Sequence, residues 1–169
     1  MNEKTFDWRA YAALVAATGI WCALIIAAPL FASASPNAAA PLYQFFSQIC
    51  HQLDARSFHI AGQKLGVCVR CSSIYFSFFL TVLALPFIPT LAKLRPASSS
   101  RAATFLVPMA IDVALDAVGI HQSTLSSRVV TGALAGWILA LLVVPHLLDA
   151  VRRLMLQQNS YGELHATKT

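Results

Sequence analysis

Apolar stretches alternate with polar ones along the chain, and the alternation predicts its elements. Residues 10–31 and 72–92 contain no Asp, Glu, Lys or Arg. About 20 such residues cross the hydrocarbon core of a bilayer as a helix. Two further apolar stretches follow, at about 102–119 and 129–148. The third carries Pro108, Asp112 and Asp116; the fourth carries Gly132 and Gly136 at the small-xxx-small spacing that lets membrane helices approach closely. The expectation is an all-α membrane protein, a four-transmembrane-helix bundle forming one integral membrane domain over residues 1–169. Ala32-Ser33-Ala34 has the look of a leader cleavage site. The apolar run before it exceeds the 7 to 15 residues, roughly, of a leader's apolar region, so an uncleaved anchor is expected.

Between the spans the pattern changes. Ser33 to Pro41 is small, polar and bounded by proline, which predicts a loop. From Leu42 to Leu53, Leu42, Phe45, Phe46, Ile49, Cys50 and Leu53 recur at helical spacing, with Gln44, Ser47, Gln48 and His51 elsewhere. That predicts an amphipathic helix too short to span, lying in the interface or over the mouth of the bundle. Asp54 to Gly66 reads as an irregular return, with Gly62 and Gly66 as breakers. Ile120 to Ser127 reads as a second polar loop, and the polar tail from Asp149 is expected to fray.

Composition agrees with a membrane protein: 57% of residues are hydrophobic and 11% charged. The net charge of +5 lacks the basic runs and basic–aromatic interleaving of a nucleic-acid binder, so no nucleic acid is expected as a partner. It reads instead as topology. With four spans, one side collects Lys4, Arg9, Lys93, Arg95, Arg101, Arg152, Arg153 and Lys168, and the other Arg56, Lys64, Arg70 and Arg128. Positive charge gathers inside. Both termini are therefore expected in the cytoplasm of a bacterial inner membrane, with outer loops at 32–71 and 120–128. Membrane lipid is the expected surrounding partner.

That topology brings the unusual residues to one face. Cys50, His51, Cys68, Cys71, Asp112, Asp116, His121 and Arg128 are expected to converge at the outer mouth. Three chemistries fit the thiols. Cys68-x-x-Cys71 with Cys50 can hold zinc, with His51, His59 or His121 as fourth ligand. The same pair can cycle as a redox dithiol, or form a static disulfide in an oxidising compartment. Three thiols with neighbouring histidines favour the metal. Cys22, mid-span, reads as a small buried hydrophobe, and His146 as an interfacial residue.

Asp112 and Asp116 lie one helical turn apart inside a span, where carboxylates are costly and usually functional. They are candidate catalytic acids or bases, the alternative being a structural pair bonded to Arg128 or to the hydroxyls of Ser72, Ser73 and Thr131. Their spacing also matches, weakly, the magnesium motifs of membrane prenyltransferases. Arg128 is placed to clamp an anionic group such as a lipid headgroup.

Cys50-His51-Gln52, Arg56-Ser57-Phe58, Gly62 and Val67-Cys68-Val69-Arg70-Cys71-Ser72-Ser73-Ile74-Tyr75 resemble a bacterial and archaeal family of small predicted membrane proteins, domain of unknown function 2085. Asp112, Asp116, Gln122-Ser123-Thr124, Ser127-Arg128 and Thr131-Gly132 resemble its second block. The resemblance covers about 42–136 and implies a shared site without an activity. The chain is also similar, more weakly, to four-span bacterial oxidases that pass electrons from protein disulfide formation to quinone. These have an outer Cys-x-x-Cys at the start of the second span, as Cys68 and Cys71 are here. Their second cysteine pair has no counterpart in residues 119–128. The reading taken forward is a membrane protein with a Cys/His zinc site and a carboxylate pair at its outer mouth, acting on a lipid-like or anionic substrate if it is an enzyme. A quinone-coupled dithiol oxidoreductase and a metal-stapled interaction module are the alternatives.

Overall fold

The first helix, α1 (Trp8–Ala34), has no charge after Arg9 and runs 27 residues, about 40 Å at 1.5 Å per residue. The structure, a computed structural model, describes residues 8–87, 99–120 and 123–166. Among them are five α-helices and one small hairpin. After α1 come α2 (Pro36–Ser47), strands β1 (His59–Ile60) and β2 (Gln63–Lys64), then α3 (Val69–Ala84), α4 (Ser99–Ala117) and α5 (Leu125–Ala166). Among the described residues, two helical segments are long and apolar enough to cross a membrane, Trp8–Ala34 and Leu125–Leu154. Helix α3 is apolar but has 16 residues; the rest of the expected 72–92 span, from residue 88, lies outside the described residues. Helix α4 has 19 residues, with Asp112 and Asp116 in its second half.

Several connections differ from expectation. Residues 33–41 are mostly helix rather than loop. Only Ser35 is extended (φ −156°, ψ 111°), and Pro36 then opens α2. Proline costs nothing at a helix start, where its missing N–H would have no partner, and the three alanines that follow are strong helix formers. The amphipathic helix thus begins six residues before Leu42 and stops at Ser47, short of Cys50. Its inward residues are Ala39 and Phe46, while Phe45 is half exposed. The irregular return proves to hold a 3₁₀ turn at Asp54–Arg56 and the hairpin, with His59 opposite Lys64 and Ile60 opposite Gln63. Ala61 (φ 51°) and Gly62 (φ 74°) form its two-residue turn, both left-handed as the twist of a tight hairpin requires. The polar tail does not fray at Asp149. Helix α5 continues to Ala166, starts at Leu125 inside the expected loop, and so far exceeds the 129–148 span. Its tail is rich in Leu, Gln, Arg and Met, all good helix formers that propagate a helix already nucleated.

Helices α3 and α5 pack closest, and the glycines explain why. A Cβ on Gly132 would lie 2.6 Å from the Arg70 carbonyl oxygen, and one on Gly136 only 2.2 Å from that of Ile74. Backbone therefore meets backbone on this seam, the contact that small residues permit between membrane helices. Two apolar clusters flank it. One joins Tyr11, Val82, Leu85, Ala140, Leu141 and Val144, with the Tyr11 hydroxyl donating to the Val82 carbonyl at 3.0 Å. The other joins Ile25, Phe46, Cys50, Leu65 and Val67, with Trp21 and Tyr75 against it. The thiols sit on this second cluster.

Candidate metal centre

Three elements deliver the thiols. Cys50 follows the last turn of α2, Cys68 is the N-cap of α3 (φ −66°, ψ 164°), and Cys71 lies in its first turn. The i, i+3 spacing sets Cys68 and Cys71 on the same side of that helix start. The Sγ atoms of Cys50, Cys68 and Cys71 all lie within 4.8 Å of one another. Sulfurs on one tetrahedral zinc, with bonds of about 2.3 Å, would stand about 3.8 Å apart. The sulfurs are thus grouped closely enough for one ion to draw on all three. All four cysteines are free thiols. Cys22 is buried away from the cluster, its Sγ 3.6 Å from the Tyr75 carbonyl oxygen.

Gln52 holds the two halves together. It is 9% exposed and adopts φ 50°, a left-handed conformation uncommon outside glycine. Its side-chain amide donates to the Tyr43 carbonyl at 2.9 Å and the Gly66 carbonyl at 2.7 Å, and Lys64 Nζ donates to the Gln52 carbonyl at 2.9 Å. Cys50 Sγ accepts from the backbone N–H of Cys68 at 3.2 Å and of Gln52 at 3.5 Å. The thiols of Cys68 and Cys71 beside it, aided by these N–H groups, hold Cys50 well below the ordinary thiol range. The α3 N-terminus has no side-chain cap, and its positive end favours negative charge at the same place.

The thiols open onto a cavity of about 320 Å³ lined also by His51, Gln52 and three arginines, Arg56, Arg70 and Arg128. Each arginine is tied to a carboxylate of α4. Arg70 Nη2 pairs with Asp112 Oδ2. Arg128 Nη2 lies 2.9 Å from Asp116 Oδ1, and Arg56 Nη1 3.0 Å from Asp116 Oδ2. Hydroxyls complete the net: Ser127 Oγ donates to Asp112 at 3.4 Å, Thr131 Oγ1 at 3.5 Å. Arg128 Nε donates to the Ser123 carbonyl at 3.1 Å.

The residues expected to converge are thus arranged in two layers. Cys50, His51, Cys68, Cys71 and Arg128 line the cavity; Asp112 and Asp116 do not, and reach it only through arginines. His51 lines the cavity but is not within 4.8 Å of the sulfurs as a further ligand. His59 instead pairs with Asp54, Nε2 to Oδ1 at 3.2 Å. His121 lies outside the described residues. Sequence reasoning put Arg56 and Arg70 on the same side as the thiols but gave neither them nor Gln52 a part in the site. The signal for Gln52 and Arg70 was adjacency, since each sits within one or two residues of a site cysteine.

A family model described as "Predicted membrane protein (DUF2085)" matches residues 50–142. An uncharacterised protein of Methanocaldococcus jannaschii is 35% identical over 104 residues, covering 62% of this chain and 67% of the relative. No solved structure matches. The match begins at Cys50 and encloses all three thiols, all three arginines and both carboxylates.

Proposed function

The chain belongs to the predicted membrane protein family of unknown function 2085, and on that premise we propose that it is a multi-pass membrane protein that holds one zinc ion on Cys50, Cys68 and Cys71. The observation that carries this is the approach of three sulfurs within 4.8 Å on a half-buried, uncapped helix start. Three sulfur ligands on a borderline-soft dication match the preference of zinc, and leave a fourth position for His51, His121 or a ligand from the cavity. Charge supports the reading. Three thiolates and a dication leave one negative charge; three arginines against two aspartates leave one positive charge beside it.

In this reading helices α1 and α5, with α3 and α4 and the segments around them, make the four spans. Charge asymmetry puts the termini in the cytoplasm of a bacterial inner membrane and the thiols at the outer face. Zinc with an open position supplies a Lewis acid that polarises an oxygen or activates water. The chain's own residues do the rest. Arg56, Arg70 and Arg128 orient a ligand in the cavity, and Gln52 keeps Cys50 facing Cys68. Asp112 and Asp116, bound to the arginines, position them, which is a more modest part than the acid–base role their spacing first implied.

Elemental analysis of chain purified without chelator tests the metal. About one zinc per chain is expected, as for a single thiolate site, with thiols that resist alkylation until a strong chelator is added. A metal-free chain two hydrogens lighter than the fully reduced one would overturn the proposal. It would move the site to dithiol chemistry, with quinone the electron acceptor to assay.

A further inference from the structure

The cavity beside the thiols has a chemistry of its own. Its polar wall is made of three guanidinium groups from three separate elements: Arg56 on the 3₁₀ turn, Arg70 in α3 and Arg128 in α5. Arg128 is 4% exposed, and the side chain of Arg70 12% exposed. Arginines are rarely buried to this degree without a partner for each face. Their carboxylate partners are not among the residues that line the cavity, so the charged groups on its wall are positive.

We propose that this cavity binds the phosphate oxyanion of a lipid headgroup. Three guanidinium groups arriving from different directions suit a tetrahedral oxyanion, whereas a planar carboxylate is satisfied by one guanidinium fork. The volume of about 320 Å³ is that of a small-molecule site and leaves room beyond one phosphate. The rim supplies the second half of the ligand's chemistry. Ile49 and Leu53 line the same cavity and are 48% and 50% exposed, in a chain whose surroundings are lipid. Charge inside and apolar side chains at the lip fit a headgroup with its tails. The site shares its cavity with the proposed zinc and rests on that reading for a metal next to the oxyanion; the arginines themselves do not depend on it.

The test is calorimetric titration of the full chain in uncharged detergent, with zinc content measured on the same sample. The probes are dihexanoyl phosphatidate and inorganic phosphate. Phosphatidate is expected to bind more tightly than phosphate, and more weakly as salt rises. Arg56→Gln, at a half-exposed position whose loss leaves Asp116 paired with Arg128, is expected to weaken it about tenfold. Arg70→Lys keeps a cation for Asp112 but removes the planar guanidinium fork, and is expected to weaken it to a similar degree. Equal binding of both probes supports the oxyanion site and assigns it to free phosphate. No binding of either probe by folded, zinc-loaded chain overturns the inference while leaving the metal reading intact. Binding by chain that holds no zinc sinks the metal reading and leaves the arginine site standing.

Discussion

The side-chain amide of Gln52 donates to the carbonyl of Gly66 across 2.7 Å, which ties the backbone just after Cys50 to the backbone just before Cys68. Without that bond, and its twin to Tyr43, nothing in the sequence forces a loop residue to face a helix start eighteen positions later. The left-handed φ of Gln52 also aims its own N–H at Cys50 Sγ. Outer groups that orient ligands are worth about 10- to 100-fold in metal affinity. Gln52→Ala should lower zinc affinity by about that much, read by competition with a chromophoric chelator. An unchanged affinity would mean that the cysteines need no such support.

Arg70 and Asp112 present a separable question, because the pair is nearly buried, with side chains 12% and 11% exposed. Breaking a buried pair from one side strands a charge, at a cost of about 3 kcal/mol or more, whereas replacing both partners is often close to neutral. Arg70→Met should therefore lower the melting temperature in detergent sharply, and Arg70→Met with Asp112→Leu should recover much of it. If the double variant melts as low as the single one, the loss comes from packing rather than from charge.

The glycine seam gives a contrast within one chain. A Cβ at Gly136 would meet the Ile74 carbonyl oxygen and Ser77 Oγ at 2.2 Å, whereas one at Gly19 meets only the ring of Phe79 at 3.3 Å. Backbone cannot yield as a ring can. Gly136→Ala should destabilise the chain strongly and Gly19→Ala little, when their melting curves are compared in the same detergent. Equal melting would mean that α3 and α5 are not pressed together as described.

Much of this architecture was readable from composition alone, because charge-free runs leave few alternatives to a helix in lipid. Gly132 and Gly136 could be picked out as a contact face from their spacing, and the thiol grouping from Cys-x-x-Cys plus one. What periodicity could not reach was set by single backbone events. Ser35 turns the chain once, so Pro36 starts a helix where proline and serine had read as loop. Ala61 and Gly62 close a hairpin too short to show alternation. The arginine–aspartate net was legible in part. The sequence offered Arg128 and the Thr131 hydroxyl among the partners of the two carboxylates, and Arg128 bonds Asp116 and Thr131 bonds Asp112, but adding Arg70 for Asp112 and Arg56 for Asp116 requires the relative placement of α3, α4, α5 and the 3₁₀ turn.

Sidedness decides which environment the thiols meet. Eight of the twelve basic residues fall on the side assigned to the termini, and the four that remain include the three cavity arginines. Those three are bound to carboxylates, so they are poor reporters of topology; without them the bias towards the termini is stronger, eight against Lys64 alone. Positive charge near span ends orients a chain on insertion, and each such residue resists crossing. Reporter fusions truncated after Lys64 should therefore score outside the cytoplasm, and fusions after Arg95 inside it. A membrane-impermeant alkylating reagent gives an independent reading on the intact chain. After chelation of the metal in whole cells it should label Cys68 and leave the buried Cys22 untouched. The opposite pattern from the fusions would turn the site towards the cytosol. There, reducing conditions favour thiolates and metal still more, and the headgroup in the cavity would come from the inner leaflet.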